Sequence, residues 1–477
     1  MLSVLIRRTT NFLYHPIVTK RRYKVTAYDN WKKVRMADEQ TLPSPRTNPI
    51  IVKLNSPEFR SIFTPELLTL ANLFKKYNYE LRIAGGAVRD ILMGIQPKDL
   101  DFATDATPDR IKDMFTKEQI RMINEKGEKH GTITARINDK ENFEITTLRI
   151  DIATNGRHAQ VQFTKDWKLD ANRRDLTVNS MFLDLDGNVY DYFYGYDDLQ
   201  NKRIVFVGDA TTRIQEDYLR ILRYFRFYGR IMESPDKHDE ATIKAIRENI
   251  EGLSRISGER IWSEWNKILT GNFAMELTVK LLECGASEHI GLPKDPDVDN
   301  FRTVFRRALS NRITLKPISL IVSMLKNMRQ VLKLHERLKL SNSDRDLAFF
   351  LIQCRECGPS SSEISVKPYQ LLVFTQPTHK YEVFREYTKE LLRYRGAIEL
   401  LREFEQWTVP HFPINGSMLK DRGTEHKLIG LVITELKRLW VEEDFQLTEN
   451  QLLDRLPKIL DKLKEKHRIK EKKQKKE

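Results

Sequence analysis

A change of pattern near residue 205 constrains the fold more than any other feature. Before it, short apolar runs alternate with glycine-marked turns; from Thr212 onward apolar residues recur at helical spacing with few strand signals. The first part predicts a mixed β-sheet with helices packed on it, the second a succession of helices, so the fold class is α+β. Thr64-Pro65-Glu66 starts a helix, with a capping hydroxyl, a proline where no N–H is needed, and Leu67, Leu70, Ala71 and Phe74 behind it. Leu81 to Ala84 reads as a strand broken by Gly85-Gly86, followed by a helix over Val88 to Met93 and a turn over Gly94 to Pro97. Further strands are predicted over 99–103, over 133–137 with 143–150 around Asn138-Asp139, and over 181–185 with 189–192 around Asp186-Gly187. The head spans 60–205, and helical segments cover 206–285, 286–400 and 401–477. Loops at Pro293 to Asp299, Gly358 to Ser362 and Pro410 to Gly416 punctuate the helical part. No apolar run approaches the ~18 residues that a membrane-spanning helix needs, so no membrane is expected as a partner.

Asp99 and Asp101 stand at the centre of the chemistry. On a strand, residues two apart share a face, so both carboxylates project together while Leu100 and Phe102 enter the apolar layer. Two carboxylates side by side are costly without a cation, and Mg²⁺ is the hard ion that suits them when phosphates must also be bound. A bare Asp-x-Asp recurs by chance, mostly at solvated strand edges. Here it follows Gly85-Gly86-Ala87-Val88-Arg89-Asp90, a side-chain-free turn into a helix N-terminus with Arg89 able to add a fork of donors. A nucleoside triphosphate needs a phosphate turn and a metal-binding strand together.

The run from Gly85 to Asp90 and on to Asp99-Leu100-Asp101-Phe102-Ala103-Thr104 resembles the first motif of class II CCA-adding tRNA nucleotidyltransferases, in the nucleotidyltransferase superfamily. Arg173-Arg174-Asp175-Leu176-Thr177-Val178-Asn179-Ser180 resembles the second motif, with Ser180 where alanine is commoner. Asp191 with Gly195 to Leu199 resembles the third, and Glu216-Asp217-Tyr218-Leu219-Arg220-Ile221-Leu222-Arg223 the fourth. The motifs lie in order across about residues 80–265; beyond about 285 only helical character and length continue the likeness.

The resemblance implies a nucleotidyltransferase head followed by helical neck, body and tail. It implies addition of CMP, CMP and AMP to the tRNA 3′ end from CTP and ATP, with Mg²⁺ and without a nucleic-acid template. Asp99 and Asp101 would hold the metal, Gly85 and Gly86 the triphosphate, and Arg174, Arg223 and Arg226 the nucleotide, with Asp175 toward the sugar hydroxyl. Glu144 is either a third carboxylate beside the metals or a solvated position. Glu128-Lys129-His130-Gly131-Thr132 resembles the family's mobile loop, with His130 structural rather than a general base. The tRNA would be held by shape and phosphate contacts along the helical part.

The fourth motif also yields to physical reading. On a single helix from about Thr212 to Arg230, Ile214, Tyr218, Ile221, Leu222 and Phe225 form the core stripe, and Asp217 and Arg220 share another edge. In isolation that pair reads as a surface ion pair of little worth. As a base reader it has a sharper use. Cytosine and adenine both present an amino donor beside a ring-nitrogen acceptor, which a carboxylate and a guanidinium complement; uracil and guanine reverse both groups. One Asp/Arg pair thus suits CTP and ATP and rejects UTP and GTP.

The formal charge of +14 is concentrated at the ends. Residues 1–28 hold six Lys/Arg and no acid, and residues 462–477 hold nine Lys/Arg against three Glu, together +12 of the total. The first 28 residues, with Leu2, Leu5, Ile6, Phe12 and Leu13 among the basic ones, resemble a mitochondrial presequence, the alternative being a disordered basic arm. Initiation at Met36 would give an unimported cytoplasmic or nuclear form. Cys284, Cys354 and Cys357 make no disulfide framework, and Cys354-x-x-Cys357 lacks the further ligands of a structural zinc. Two other functions stay open. A poly(A) polymerase of the same family shares the metal motif, although His130-Gly131-Thr132 favours CCA addition. A non-catalytic RNA-binding protein on this scaffold would have no reason to keep both Asp99 and Asp101. Oligomeric state is not legible.

Overall fold

The computed structural model describes residues 44–123, 125–154, 159–360 and 362–463. The segment 1–28, Met36 and the basic tail after Leu463 lie outside the described residues. In chain order the strands are β1 (Ile50–Lys53), β2 (Leu81–Ala84), β3 (Asp101–Thr104), β4 (Arg121–Ile123), β5 (Thr132–Ile137), β6 (Glu141–Thr147), β7 (Arg149–Thr154), β8 (Ala159–Phe163), β9 (Phe182–Leu183) and β10 (Asn188–Tyr190). Eight form one mixed sheet in the order β1-β10-β9-β2-β3-β6-β5-β4, and β7 pairs with β8 alone. Only β3 and β6 run parallel, with Asp101 opposite Glu144. The helices that build the site are α1 (Pro65–Lys76), α2 (Gly86–Leu92), α3 (Trp167–Asn172), α4 (Ala210–Glu216), α5 (Arg220–Ile231) and α6 (Gly258–Leu269). Beyond residue 205 the described elements are helices.

Local chemistry accounts for much of this. Thr64 Oγ1 accepts the Leu67 N–H at 3.1 Å and caps α1, whose Leu67, Leu70 and Phe74 are buried. Asn138 and Asp139 both take positive φ, 52° and 54°, which matches the twist of the β5–β6 hairpin. From Pro45 onward the chain forms one unit. A continuous apolar core runs from Phe59 to Phe404, and a second cluster joins Phe374 to Val432, Leu436 and Trp440. In α5, Ile221, Leu222, Tyr224 and Phe225 are fully buried, each worth ~1.5–3 kcal/mol of transfer free energy, so this helix is fixed rigidly behind the site. Cys284 and Cys354 are buried free thiols. No described helix is long and apolar enough to cross a membrane.

Four expectations need correction. The strand expected over 99–103 starts at Asp101, where pairing with β6 begins, and Asp99 lies in the bend that follows Pro97. The strand expected over 143–150 divides at Leu148, whose N–H donates to the Thr104 carbonyl at 2.9 Å while its side chain is buried; β7 then leaves for its own ladder. α2 begins at Gly86 rather than Val88, because Gly85 at φ +67° turns the chain directly into its first turn. The single helix expected over 212–230 is two: Asp217 is extended, φ −153° and ψ 103°, between α4 and α5.

Candidate active site

The glycine turn sits against an arginine. Arg174 Nη1 would lie 3.1 Å from a Cβ at Gly85, so only glycine leaves both the backbone angle and the guanidinium undisturbed. Asp170 on α3, wholly buried, holds Arg174 through Nη2 at 3.1 Å and Arg173 through Nε at 2.9 Å. Phe182 of β9 lies 4.8 Å beneath the Arg174 guanidinium. Arg174 is thus a fixed cation at the mouth of a side-chain-free turn, the arrangement a phosphate chain requires. Gly85→Ala should cost ~1–3 kcal/mol of backbone strain and displace Arg174, raising the KM for CTP and ATP alike; a denaturant melt with nucleotide-titration kinetics checks both. Arg89 departs from expectation. It is buried, with Nε and Nη2 on Asp90 Oδ1 and Nη1 on Asn179 Oδ1, so it braces the two motifs and does not offer a free fork to phosphate.

Asp99, Asp101 and Glu144 line one cavity of about 560 Å³. Asp101 and Glu144 are brought there by the parallel register of β3 and β6, and Asp99 by the bend before β3. Asp101 reaches the cavity solvent, yet the protein packed around it disfavours its charge, and the carboxylates of Glu144 and then Asp99 push its carboxyl further above the usual range. Converging like charges made only of oxygen donors fit a hard divalent cation. Among the described residues no group of three or more His, Cys, Asp or Glu side chains forms a ready-made cage. Mg²⁺ does not require one, because it keeps several waters and takes phosphate oxygens from the substrate.

The neck residues assemble differently from the expected surface pair. Asp217 Oδ1 accepts the Leu219 N–H at 3.1 Å and Oδ2 accepts Arg260 Nη2 from α6 at 2.6 Å. Arg220 donates through Nη1 to Glu216 Oε2 at 2.5 Å and to the Arg213 carbonyl at 2.9 Å, and through Nη2 to the Arg173 carbonyl at 2.8 Å. No ion pair joins Asp217 to Arg220 among the described residues. Arg223 Nε meets Asp175 Oδ2 at 2.5 Å, tying α5 to the second motif. Burial opposes the charge of Asp175, but Arg223, the Leu176 N–H and Arg220 together hold the carboxyl below its ordinary range. Arg226 donates to Glu264 on α6 at 2.8 Å, and burial brings its guanidinium down to about 10. Phe227 lies beneath Arg89, Arg223 and Arg226 at 4.8, 5.3 and 4.2 Å.

Arg260 and Glu264 were not anticipated from sequence. One turn apart on α6, they meet opposite charges, Asp217 of the fourth motif and Arg226 further along α5, and their spacing is the only local sign they carry. The third motif proves to be a cap: buried Asp191 accepts N–H groups of Phe193, Gly195 and Tyr196 at 3.0 to 3.1 Å, closing the turn into the helix Gly195–Gln200. Burial raises its carboxyl to about 6, against the pull of those donors.

Comparisons with known proteins agree with this construction. Residues 81–205 match the family described as "Poly A polymerase head domain", and residues 237–294 the one described as "Probable RNA and SrmB-binding site of polymerase A". The Mus musculus protein "CCA tRNA nucleotidyltransferase 1, mitochondrial" is 49% identical over 412 residues, spanning 85% of this chain and 93% of its own length. A "CCA-adding enzyme" of Bacillus pumilus is 34% identical over 239 residues, 50% of this chain and 58% of its own. In fold, the Bacillus stearothermophilus CCA-adding enzyme in complex with CTP superposes with a TM-score of 0.64 at 24% identity, covering 87% of this chain and 100% of that one. The Thermotoga maritima CCA-adding enzyme complexed with tRNA gives 0.60 at 20% identity, with 87% and 99% covered. With close identity to a relative along almost its whole length, and with the four motifs folded around one site, the chain belongs to the family of CCA tRNA nucleotidyltransferases.

Proposed function

We propose that the protein adds CMP, CMP and AMP in turn to the 3′ end of tRNA, using CTP and ATP and releasing pyrophosphate. The observation that carries this reading is the junction of the phosphate turn with the neck: Arg220 bonds the Arg173 carbonyl, next to Arg174 at the glycine turn. A base reader and a phosphate holder are thereby coupled through a single peptide unit. Arg174 takes the triphosphate, and Asp175, held by Arg223, faces the sugar. Asp217 accepts the exocyclic amine, for which its lone pairs suffice beside Arg260 and the Leu219 N–H. Arg220 keeps Nε–H and one Nη2–H for the ring nitrogen. Asp99 and Asp101, with Glu144 beside them, would hold Mg²⁺. When bound, that ion offsets charge on the transferred phosphoryl group and favours ionisation of the attacking hydroxyl.

Purified protein incubated with tRNA lacking its CCA, and with each NTP separately, tests the reading. CMP should be incorporated first, AMP only afterwards, and UMP and GMP not at all. Incorporation of AMP alone, in long runs, would identify a poly(A) polymerase instead. The relatives named as mitochondrial support a mitochondrial location, with residues 1–28 as the import signal. Deleting 1–28 should abolish import while leaving activity in vitro unchanged, and import of the truncated chain would reject that assignment. Initiation at Met36 would supply a form outside mitochondria.

A further inference from the structure

We infer that Arg82, which lies outside all four motifs, is a positioning residue for the triphosphate: it anchors the aromatic column on which Arg174 is set. The inference rests on the function proposed above and deepens it, by naming what holds the phosphate cradle from behind. Strand register brings the parts together. Arg82 pairs with Ala103, and Ala84 and Tyr190 both pair with Phe182, so Arg82, Phe182 and Tyr190 share one face of the sheet. The other face, with Ile83, Leu183 and Val189, belongs to the main core. On the first face Phe182, Ala84 and Ala103 form a small cluster of their own with Trp167 and Ala171 of α3.

Arg82 is buried, a costly place for a charge. Hydrogen bonds do not account for it: Nη2 reaches the exposed Glu80 at 2.5 Å, and Nη1 is buried with no hydrogen-bond partner among the described residues. Two rings do. The guanidinium lies 3.7 Å from the centre of the Tyr190 ring and 4.0 Å from that of Trp167, and the Tyr190 hydroxyl is itself tied to Asp184 at 3.0 Å. Trp167 meets Phe182 edge-on at 4.9 Å, and Phe182 carries Arg174. The column thus runs Tyr190, Arg82, Trp167, Phe182, Arg174. Trp167 is also the first residue of α3, whose Asp170 holds Arg174. Arg82 therefore acts on Arg174 by two routes through Trp167, the ring that supports Phe182 and the helix that carries Asp170. Lysine cannot replace it fully, because a compact ammonium does not stack as a planar guanidinium does.

Calorimetric titration of CTP and ATP into wild type, Arg82→Ala, Arg174→Ala and the double variant tests this. Arg82→Ala should weaken both nucleotides about tenfold and raise their KM to match, with kcat and the KM for tRNA within about twofold of wild type, because ground and transition states share the triphosphate contact. On the Arg174→Ala background the same change should weaken binding no further. Equal weakening in both backgrounds, or wild-type CTP affinity in Arg82→Ala, would overturn the assignment; a cation kept only for stability lowers the melting temperature and leaves the nucleotide constants alone. If Arg82→Ala does not fold, Arg82→Lys decides: it keeps the charge and loses the planar stack, so CTP should bind about threefold more weakly, and wild-type affinity there would overturn the assignment equally. Wild-type protein that binds CTP but adds no CMP to tRNA lacking CCA would sink the proposed function and not this assignment, which CTP binding alone decides.

Discussion

Asp101→Asn abolishes incorporation of both CMP and AMP, by ~10³-fold or more, while tRNA binding stays near wild type. The magnitude follows from removing several kcal/mol of charge stabilisation at the transferred phosphoryl group. Both nucleotides suffer together because the carboxylate serves the reacting centre and neither base. The same substitution has a second consequence. Asp101 is held among Glu144 and Asp99 in surroundings that disfavour its charge, so the amide relieves repulsion and the metal-free variant melts no lower than wild type. A residue kept for structure would show the opposite pattern, lower melting with partial activity. Single-turnover incorporation, a filter-binding assay for tRNA and a thermal melt without metal read the three quantities. Turnover within tenfold of wild type would remove Asp101 from the metal site.

Features set by nearby chemistry were legible in the chain, and features set by distant partners were not. Thr64-Pro65 announces α1 because capping involves atoms three residues apart, and Asn138-Asp139 announces a hairpin because both residues tolerate positive φ. Asp99 and Asp101 were rightly seen as neighbours, but the strand between them is absent, since pairing begins only where β6 presents Glu144. The break at Asp217 had a local sign that helical periodicity overrode: an aspartate can take a backbone N–H two residues on and so compete with the helix. What holds that break open is Arg260, forty-three residues later, and no spacing rule points to it. Arg89 illustrates the converse. Its motif suggested a phosphate fork, yet Asp90, Asn179 and Phe227, drawn from three parts of the chain, claim the guanidinium first.

The geometry around that break sharpens what substitutions there should do. Arg220→Ala removes a donor to the base and also unties the neck from the Arg173 carbonyl, so kcat/KM for CTP and ATP should fall together by ~10–150-fold, the ~1.5–3 kcal/mol of charged hydrogen bonds. Asp217→Ala removes the partner of the exocyclic amine and leaves the ring-nitrogen contact, so discrimination against UTP should fall along with efficiency. Arg260→Ala provides the control that the sequence alone did not offer. It touches no base in this scheme, but frees Asp217 Oδ2, so it should shift the CTP-to-UTP ratio in the same direction as Asp217→Ala and by less, with Arg260→Lys restoring part of it. Loss of stability lowers activity toward every nucleotide equally and cannot move that ratio. The assay is therefore kcat/KM for CTP, ATP, UTP and GTP in wild type and each variant. Ratios that stay within about twofold of wild type, ~0.4 kcal/mol, would place the base reader elsewhere and leave Asp217 and Arg220 as braces between the helices.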